Sequence, residues 1–297
     1  MSDKNIHKAG FVNIIGNPNV GKSTLMNALV GENLSIITSK VQTTRHRILG
    51  IVNGDDFQIV YSDTPGIIRH PGYKLQEAMM SFVDSAIDDA DIFLYVTTMD
   101  DTEIHPDILR KLVASKVPIL VILNKIDLSS QELVSLKMAT LQDDFPEATV
   151  VPVSALHKFN LEAVLNYVLS YLPDGEAFYP KDELTDKTMR FFVSEIIREK
   201  ILILYKKEIP YSVEVEVEEY KEADDRIDIM ATIYVIRESQ KGIILGKQGA
   251  AIKRVGTDAR KDIEEFVGKH VFLNLYVKVK KDWREDDNML KKFGYSN

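Results

Sequence analysis

Gly16-Asn17-Pro18-Asn19-Val20-Gly21-Lys22-Ser23 matches G-x-x-x-x-G-K-[ST], with an apolar run at 11–15 before it and a helical pattern at 25–30 after it. Strand, glycine loop and helix in that order make a cradle for a polyanion. The glycines let backbone N–H groups turn towards phosphate oxygens, and the helix N-terminus adds a favourable dipole field. Lys22 is expected to reach the β- and γ-phosphates, and the Ser23 hydroxyl to bind Mg²⁺. The nucleotide-contacting set is Gly16, Asn17, Asn19, Val20, Gly21, Lys22, Ser23 and Thr24. ATPases and metabolite kinases share this loop, so it leaves the base open.

Outward from the loop, strand-like runs at 11–15, 57–61, 92–96, 119–123 and 150–153 alternate with helical stretches at 25–30, 75–87, 106–114, 133–141 and 161–172. This alternation implies an α/β unit, a mostly parallel sheet with helices on both faces. Asn53-Gly54 lies between runs at 48–52 and 57–61 and predicts a hairpin, hence one antiparallel edge strand.

Asn124-Lys125-Ile126-Asp127 follows directly on the apolar run 119–123, at the strand end where open α/β sheets bind ligands. An Asp there accepts two hydrogen bonds from the N1–H and 2-amino group of guanine. Adenine offers no such pair, and an unpaired charged acceptor costs roughly 1.5–3 kcal/mol. Lys125 is expected along the base, and Asn124 ties this loop to the phosphate loop. Val153-Ser154-Ala155 ends the next strand and places a backbone N–H near the guanine oxygen.

Asp63-Thr64-Pro65-Gly66 ends a further strand. Asp63 is expected to hold Mg²⁺ through a water, and the Gly66 N–H to bond the γ-phosphate until hydrolysis releases it. Between these elements lies Gln42-Thr43-Thr44-Arg45-His46. A hydroxyl of this loop completes the Mg²⁺ shell, and Thr44 is preferred to Thr43. Arg45 reads as a solvated switch residue and not as a catalytic finger. Lys22, Thr44 and Gly66 are the residues expected to act in hydrolysis.

The chain has 297 residues, enough for two domains, with no cysteine. That excludes a disulfide framework, a thiolate metal site and a cysteine nucleophile. No signal-like start and no apolar run of about 18 residues is present, so a cytoplasmic location is expected. The net charge of −8 falls wholly on the part before residue 180, since 23 Lys/Arg and 23 Asp/Glu follow from there. A neutral domain can still carry a basic face.

Pro173, Gly175 and Pro180 among acidic residues mark a linker, giving domains at 1–172 and 190–297 joined by 173–189. The second domain reads as a helix at 190–205, strands at 213–218 and 227–235, helices at 242–255 and 257–267, and a strand at 271–279. Gly246-Lys247-Gln248-Gly249 joins two helical stretches, which is the G-x-x-G signature of KH domains that clamp a nucleic-acid backbone. Arg237, Lys241, Lys247, Lys253, Arg254, Arg260 and Lys261 lie within 25 residues, opposed only by Glu238 and Asp258. Ile243, Ile244 and Ile252 are read either as an apolar floor for bases or as core. The RNA-contacting set is Lys241, Ile243, Ile244, Gly246, Lys247, Gln248, Gly249, Lys253 and Arg254. Trp283 reads as a packing residue.

GNPNVGKS at 16–23, QTTRH at 42–46, DTPG at 63–66, NKID at 124–127, VSA at 153–155 and GIILGKQGAAIKRVG at 242–256 together resemble the translation-factor-related class of P-loop GTPases. Nearly the whole chain resembles the ribosome-assembly branch of that class, which carries a C-terminal type II KH domain. A monomer that binds GTP with Mg²⁺ is expected, and the resemblance implies a single-stranded RNA target, the 3′ end of small-subunit ribosomal RNA. It also implies a role in maturing the 30S subunit and a peripheral contact with the inner membrane. Relatives with such a phosphate loop use its second Asn to hold K⁺, here Asn19, which otherwise only shapes the loop. Ile67 stands where Ras-like GTPases carry a water-orienting Gln, so turnover is expected to be slow, about 10⁻⁴–10⁻² s⁻¹. Two other readings compete: a signalling or membrane-associated GTPase whose C-terminal domain binds protein, and a P-loop ATPase or small-molecule kinase.

Overall fold

The structure, a computed structural model, describes residues 7–101 and 105–295. The chain divides into two compact units. The first takes in the chain as far as Ser35, Thr44–Gly72 and Gln76–Asp186, and the second Ile36–Thr43, Tyr73–Leu75 and the chain from Lys187 on.

The first unit is built on β1 (Lys8–Ile15), β2 (Ile48–Asn53), β3 (Phe57–Asp63), β4 (Ile92–Thr97), β5 (Ile119–Leu123) and β6 (Thr149–Pro152), in the spatial order β2-β3-β1-β4-β5-β6. All pairs are parallel except β2 with β3, which run antiparallel with Ile48 opposite Asp63 and Asn53 opposite Gln58. The hairpin expected at Asn53-Gly54 is therefore present. Every residue of β4 is buried, as a strand covered on both faces requires. The covering helices include α1 (Lys22–Val30), α2 (Lys74–Asp88), α3 (Pro106–Ser115), α4 (Gln131–Asp144) and α5 (Leu161–Tyr171). Ile15, Phe93, Tyr95, Val121 and Leu123 meet Val83, Leu112 and Leu141 in one core.

Residues 181–186 run along the β2 edge, and 173–179 lie against β1 and β3. The Ile51 N–H donates to the Leu184 carbonyl at 2.8 Å, and the Gln58 side chain donates to the Tyr179 carbonyl at 2.8 Å. This covers an edge that would otherwise offer unpaired backbone groups. The carboxyl ends of β1, β3 and β5 bring Gly16, Asp63 and Asn124 to one rim, and this rim is the site.

The second unit holds α6 (Met189–Leu204), α7 (Ile209–Ser212), β7 (Glu214–Glu222), β8 (Arg226–Val235), α8 (Glu238–Leu245), α9 (Ala250–Val267), β9 (His270–Val279) and α10 (Asp287–Lys292). Its sheet order is β7-β8-β9, with β7 antiparallel and β9 parallel to β8. Val193, Ile197 and Ile201 of α6 and Val255, Ala259 and Ile263 of α9 bury one sheet face through Ile229, Ala231 and Ile233. The sequence places a helix break near Gly256. Instead α9 runs unbroken through it, with Gly256 facing Leu275 of β9. Trp283 is fully buried, its indole N–H donating to the Ser212 carbonyl at 3.1 Å, so it packs as expected.

This unit also contains a buried ion pair. Arg198 donates to both Glu195 carboxylate oxygens, at 2.7 and 2.6 Å, and to the Thr43 carbonyl. Burial works against the Arg198 charge, and the Glu195 carboxylate beside it more than offsets that, holding its pKa above the usual value. Among the described residues no helix is long and apolar enough to cross a membrane.

Candidate nucleotide site and nucleic-acid groove

The phosphate loop leaves β1 at Ile15 and enters α1 at Lys22. Gly21 has φ 98°, and a Cβ there would lie 2.3 Å from the Asn124 amide nitrogen, so this turn tolerates only glycine. Lys22 folds back over the loop, its ammonium donating to the carbonyls of Gly16 at 2.9 Å and Asn17 at 2.8 Å. Burial pulls the Lys22 pKa down to about 8, against the opposing charges of Asp63 and Asp101. A buried ammonium whose donors rest on two backbone carbonyls is poised for a polyanion.

Ser23, Thr44 and Asp63 converge from three segments. The Ser23 hydroxyl donates to Asp63 Oδ2 at 2.6 Å and lies 2.8 Å from Thr44 Oγ1, which is 3.4 Å from the same carboxylate oxygen. Asp63 is fully buried, and its Oδ1 has no hydrogen-bond partner. Burial pushes the Asp63 carboxyl above its usual range, with the Ser23 hydrogen bond and the Lys22 charge pulling the other way. Three hard oxygen donors, one of them an orphaned buried carboxylate oxygen, fit Mg²⁺. Thr43 points elsewhere, to the Lys40 carbonyl at 2.7 Å and Thr38 Oγ1 at 2.6 Å, so Thr44 is the hydroxyl brought to Ser23.

Thr64 and Pro65 are buried in the floor below, the Thr64 hydroxyl donating to the Ile14 carbonyl at 2.8 Å. Gly66 passes so near the phosphate loop that a Cβ would lie 2.8 Å from Pro18 Cα. Ile67 is buried in the core with Ile15 and Val83 and carries no group that can orient water. One expectation fails. Arg45 is fully buried and not solvated.

The base-recognition elements meet the phosphate loop directly. Asn124 donates to the Val20 carbonyl at 2.9 Å and accepts from the Ala155 N–H at 3.0 Å. The Lys125 ammonium donates to the Asn19 carbonyl at 2.6 Å. The Ser154 hydroxyl donates to Asp127 Oδ1 at 2.5 Å, and His157 Nε2 stands 3.8 Å from the other carboxylate oxygen. Ser154 thus does more than the backbone contact read from its position: its hydroxyl aims the carboxylate. Asn17, Thr97 and Asp101 also join this site, and Thr97 and Asp101 lie in no motif.

In the second unit, α8 ends at Gly246, Gly246–Gly249 makes the turn, and α9 begins at Ala250. Gly246 has φ 69°, and a Cβ there would come within 2.6 Å of the Ala251 Cβ. Lys247, Gln248, Lys253 and Arg254 are exposed around the turn, with Lys241 half-buried. Beside it a cleft of 280 Å³ is lined by Ile252, Lys253, Gly256, Thr257, Arg260, Leu273 and Leu275. Ile243 is 48% exposed, whereas Ile244 is fully buried beneath the Tyr205 hydroxyl that donates to its carbonyl. Ile244 is therefore core and lines no groove, while Ile252 does line it. Leu273 and Leu275 line it too, although the sequence does not single them out. Their alternation points them inward, but β9 is an edge strand and leaves them half-exposed along the cleft.

The family model of a 50S ribosome-binding GTPase matches residues 11–125, and that of a KH domain matches 208–284. GTPase Era of Clostridium kluyveri is 43% identical over 97% of this chain and 99% of its own length. The chloroplastic GTPase ERA1 of Zea mays is 45% identical over 97% of this chain and 71% of its own length. Among solved structures, Era in complex with MgGDPNP and nucleotides 1506–1542 of 16S ribosomal RNA superposes with a TM-score of 0.94 at 36% identity, covering 98% of this chain and 100% of that one. An Aquifex aeolicus Era variant bound to GDP·AlF4⁻ gives 0.93 at 36% identity, with 98% and 100% covered. Likeness at this level spans both units, and the chain belongs to the Era family of GTP-hydrolysing proteins.

Proposed function

We propose that this GTPase is a slow switch that holds single-stranded RNA at the 3′ end of small-subunit ribosomal RNA and assists maturation of the 30S subunit. The observation that carries the switch is the meeting of Ser23, Thr44 and Asp63, since Thr44 belongs to a loop that a γ-phosphate can order. Ser23, Thr44 and Asp63 hold Mg²⁺, which neutralises phosphate charge when bound. Era in its solved complex carries MgGDPNP, which supports Mg²⁺ and GTP as the ligands here.

Lys22 holds the β- and γ-phosphates, and the Gly66 N–H contacts the γ-phosphate. Asp127, aimed by Ser154, reads guanine, with Lys125 along the base. Asn19 at the turn of the loop is the position for K⁺, and hydrolysis that depends on K⁺ over Na⁺ tests it. Ile67 leaves water unoriented, so hydrolysis proceeds by positioning and electrostatics and stays slow.

The solved complex of Era with a 16S ribosomal RNA segment supports the RNA target. Gly246–Gly249 clamps the backbone, and Ile252, Leu273 and Leu275 give bases an apolar wall with Lys253 and Arg260 at its rim. Crosslinking in cells followed by sequencing of bound RNA tests this reading. Reads concentrated at the 3′ end of small-subunit ribosomal RNA are expected. Recovery of protein partners with no enriched RNA would support a protein-binding C-terminal domain instead.

A further inference from the structure

Asp101 lies after β4, outside every nucleotide-binding motif, yet it is tied into the phosphate loop. Its Oδ1 accepts from the Asn17 side-chain amide at 2.7 Å, and its Oδ2 accepts from the Thr97 hydroxyl at 3.2 Å. Its own backbone is fixed as well. The Lys137 ammonium, on α4, donates to the Asp101 carbonyl at 2.8 Å, and the Asp101 N–H donates to the Thr98 carbonyl at 3.2 Å.

A carboxylate beside a site for a nucleoside triphosphate is at first sight a mistake, because it repels the ligand. It is kept in place by four hydrogen bonds from three directions, so its position serves some other end. That end is visible one step further along. Asn17 and Gly16 present the two carbonyls on which the Lys22 ammonium rests, at 2.8 and 2.9 Å. Anchoring the Asn17 side chain fixes the peptide whose oxygen holds Lys22.

We infer that Asp101 is a positioning residue for GTP hydrolysis: through Asn17 it sets where the Lys22 ammonium stands relative to the phosphates. The link runs from α4 through Lys137, Asp101 and Asn17 to Lys22. The inference rests on Lys22 as the phosphate-binding lysine, and Lys22→Ala tests that reading separately by loss of GTP binding.

The test exploits the polarity of the hydrogen bond. Asp101→Leu removes both charge and acceptor. Asp101→Asn removes the charge and keeps an acceptor for Asn17. Asn17→Asp sets two carboxylates against each other, and the double variant Asn17→Asp/Asp101→Asn restores one bond with donor and acceptor exchanged. Single-turnover GTP hydrolysis by the full chain is expected to fall about tenfold in Asp101→Leu and in Asn17→Asp. Asp101→Asn and the exchanged double variant are expected to recover to within about threefold of the parent. Hydrolysis at the parental rate in Asp101→Leu would overturn the inference. If Asp101→Leu melts early, the exchanged pair decides: a double variant no faster than Asn17→Asp also overturns it.

Discussion

The amide nitrogen of Asn124 donates to the carbonyl of Val20 at 2.9 Å, tying the Asn124–Asp127 loop to the phosphate loop across 104 residues of sequence. The same side chain accepts from the Ala155 N–H at 3.0 Å, so one buried amide holds three loops together. Replacing it by alanine orphans a buried carbonyl and a buried N–H, a cost of about 2 kcal/mol. GDP affinity in Asn124→Ala is expected to fall roughly thirtyfold, measured by titration with a fluorescent GDP analogue.

Asp127 is proposed to accept from the N1–H and 2-amino group of guanine. The side-chain amide of an Asp127→Asn variant presents a donor where guanine also donates. The variant is expected to lose one to two decades of GTP affinity, about 1.5–3 kcal/mol, and to gain affinity for xanthosine nucleotides, which carry a carbonyl at position 2. Competition between GDP and XDP reads the exchange directly. Unchanged preference for GDP would remove Asp127 from base recognition.

Tyr61 and Tyr95 carry buried hydroxyls without hydrogen-bond partners among the described residues, and burial pushes the ionisation of both well above the usual value of 10. The sign follows from linkage. Both phenols stay neutral in the fold, while in the unfolded chain they ionise near pH 10, so their stability contribution is complete below pH 10 and is lost as pH rises beyond it. Thermal unfolding is expected to show falling stability above about pH 10. Tyr61→Phe and Tyr95→Phe should each lessen that fall, at a cost within about 1 kcal/mol at pH 7, since no hydrogen bond is lost.

Glu195 and Arg198 form a buried pair, 5% and 1% exposed. Removing one partner leaves an uncompensated buried charge. Glu195→Leu is expected to destabilise the second unit by about 3–5 kcal/mol, and Glu195→Leu/Arg198→Met by clearly less. Calorimetry of the full chain checks the order of the two.

Much of the nucleotide site is legible in the sequence because phosphate and guanine recognition demand backbone turns and donor sets that few strings supply. Gly21 has no room for a side chain, and Asp63 must sit at a strand end. Asp101 is not legible, because it acts through a loop without local signature and its partner Asn17 is a position of the motif open to any residue. The burial of Arg45 escapes a local reading, since Gln42-Thr43-Thr44-Arg45-His46 is polar throughout and only the tertiary fold covers it. Ile243 and Ile244 differ by one step around α8, about 100° of rotation, which sends one outward and the other into the core. Without the helix's docking partner that phase is undetermined. The second unit's element order is legible from alternating strands, whereas the continuity of α9 through Gly256 is not, because a glycine inside a helical pattern reads locally as a break.

The central claim is that the GTP-bound protein clamps RNA, and one titration tests it most directly. Labelled single-stranded RNA with the sequence of the 16S 3′ end is titrated with the full chain bound to a non-hydrolysable GTP analogue and Mg²⁺, at two salt concentrations. The parent protein is expected to bind with affinity that falls as salt rises, and Gly246→Asp/Gly249→Asp is expected to lose at least about tenfold while still binding GTP. Equal binding by parent and double variant, or binding indifferent to salt, would contradict the account.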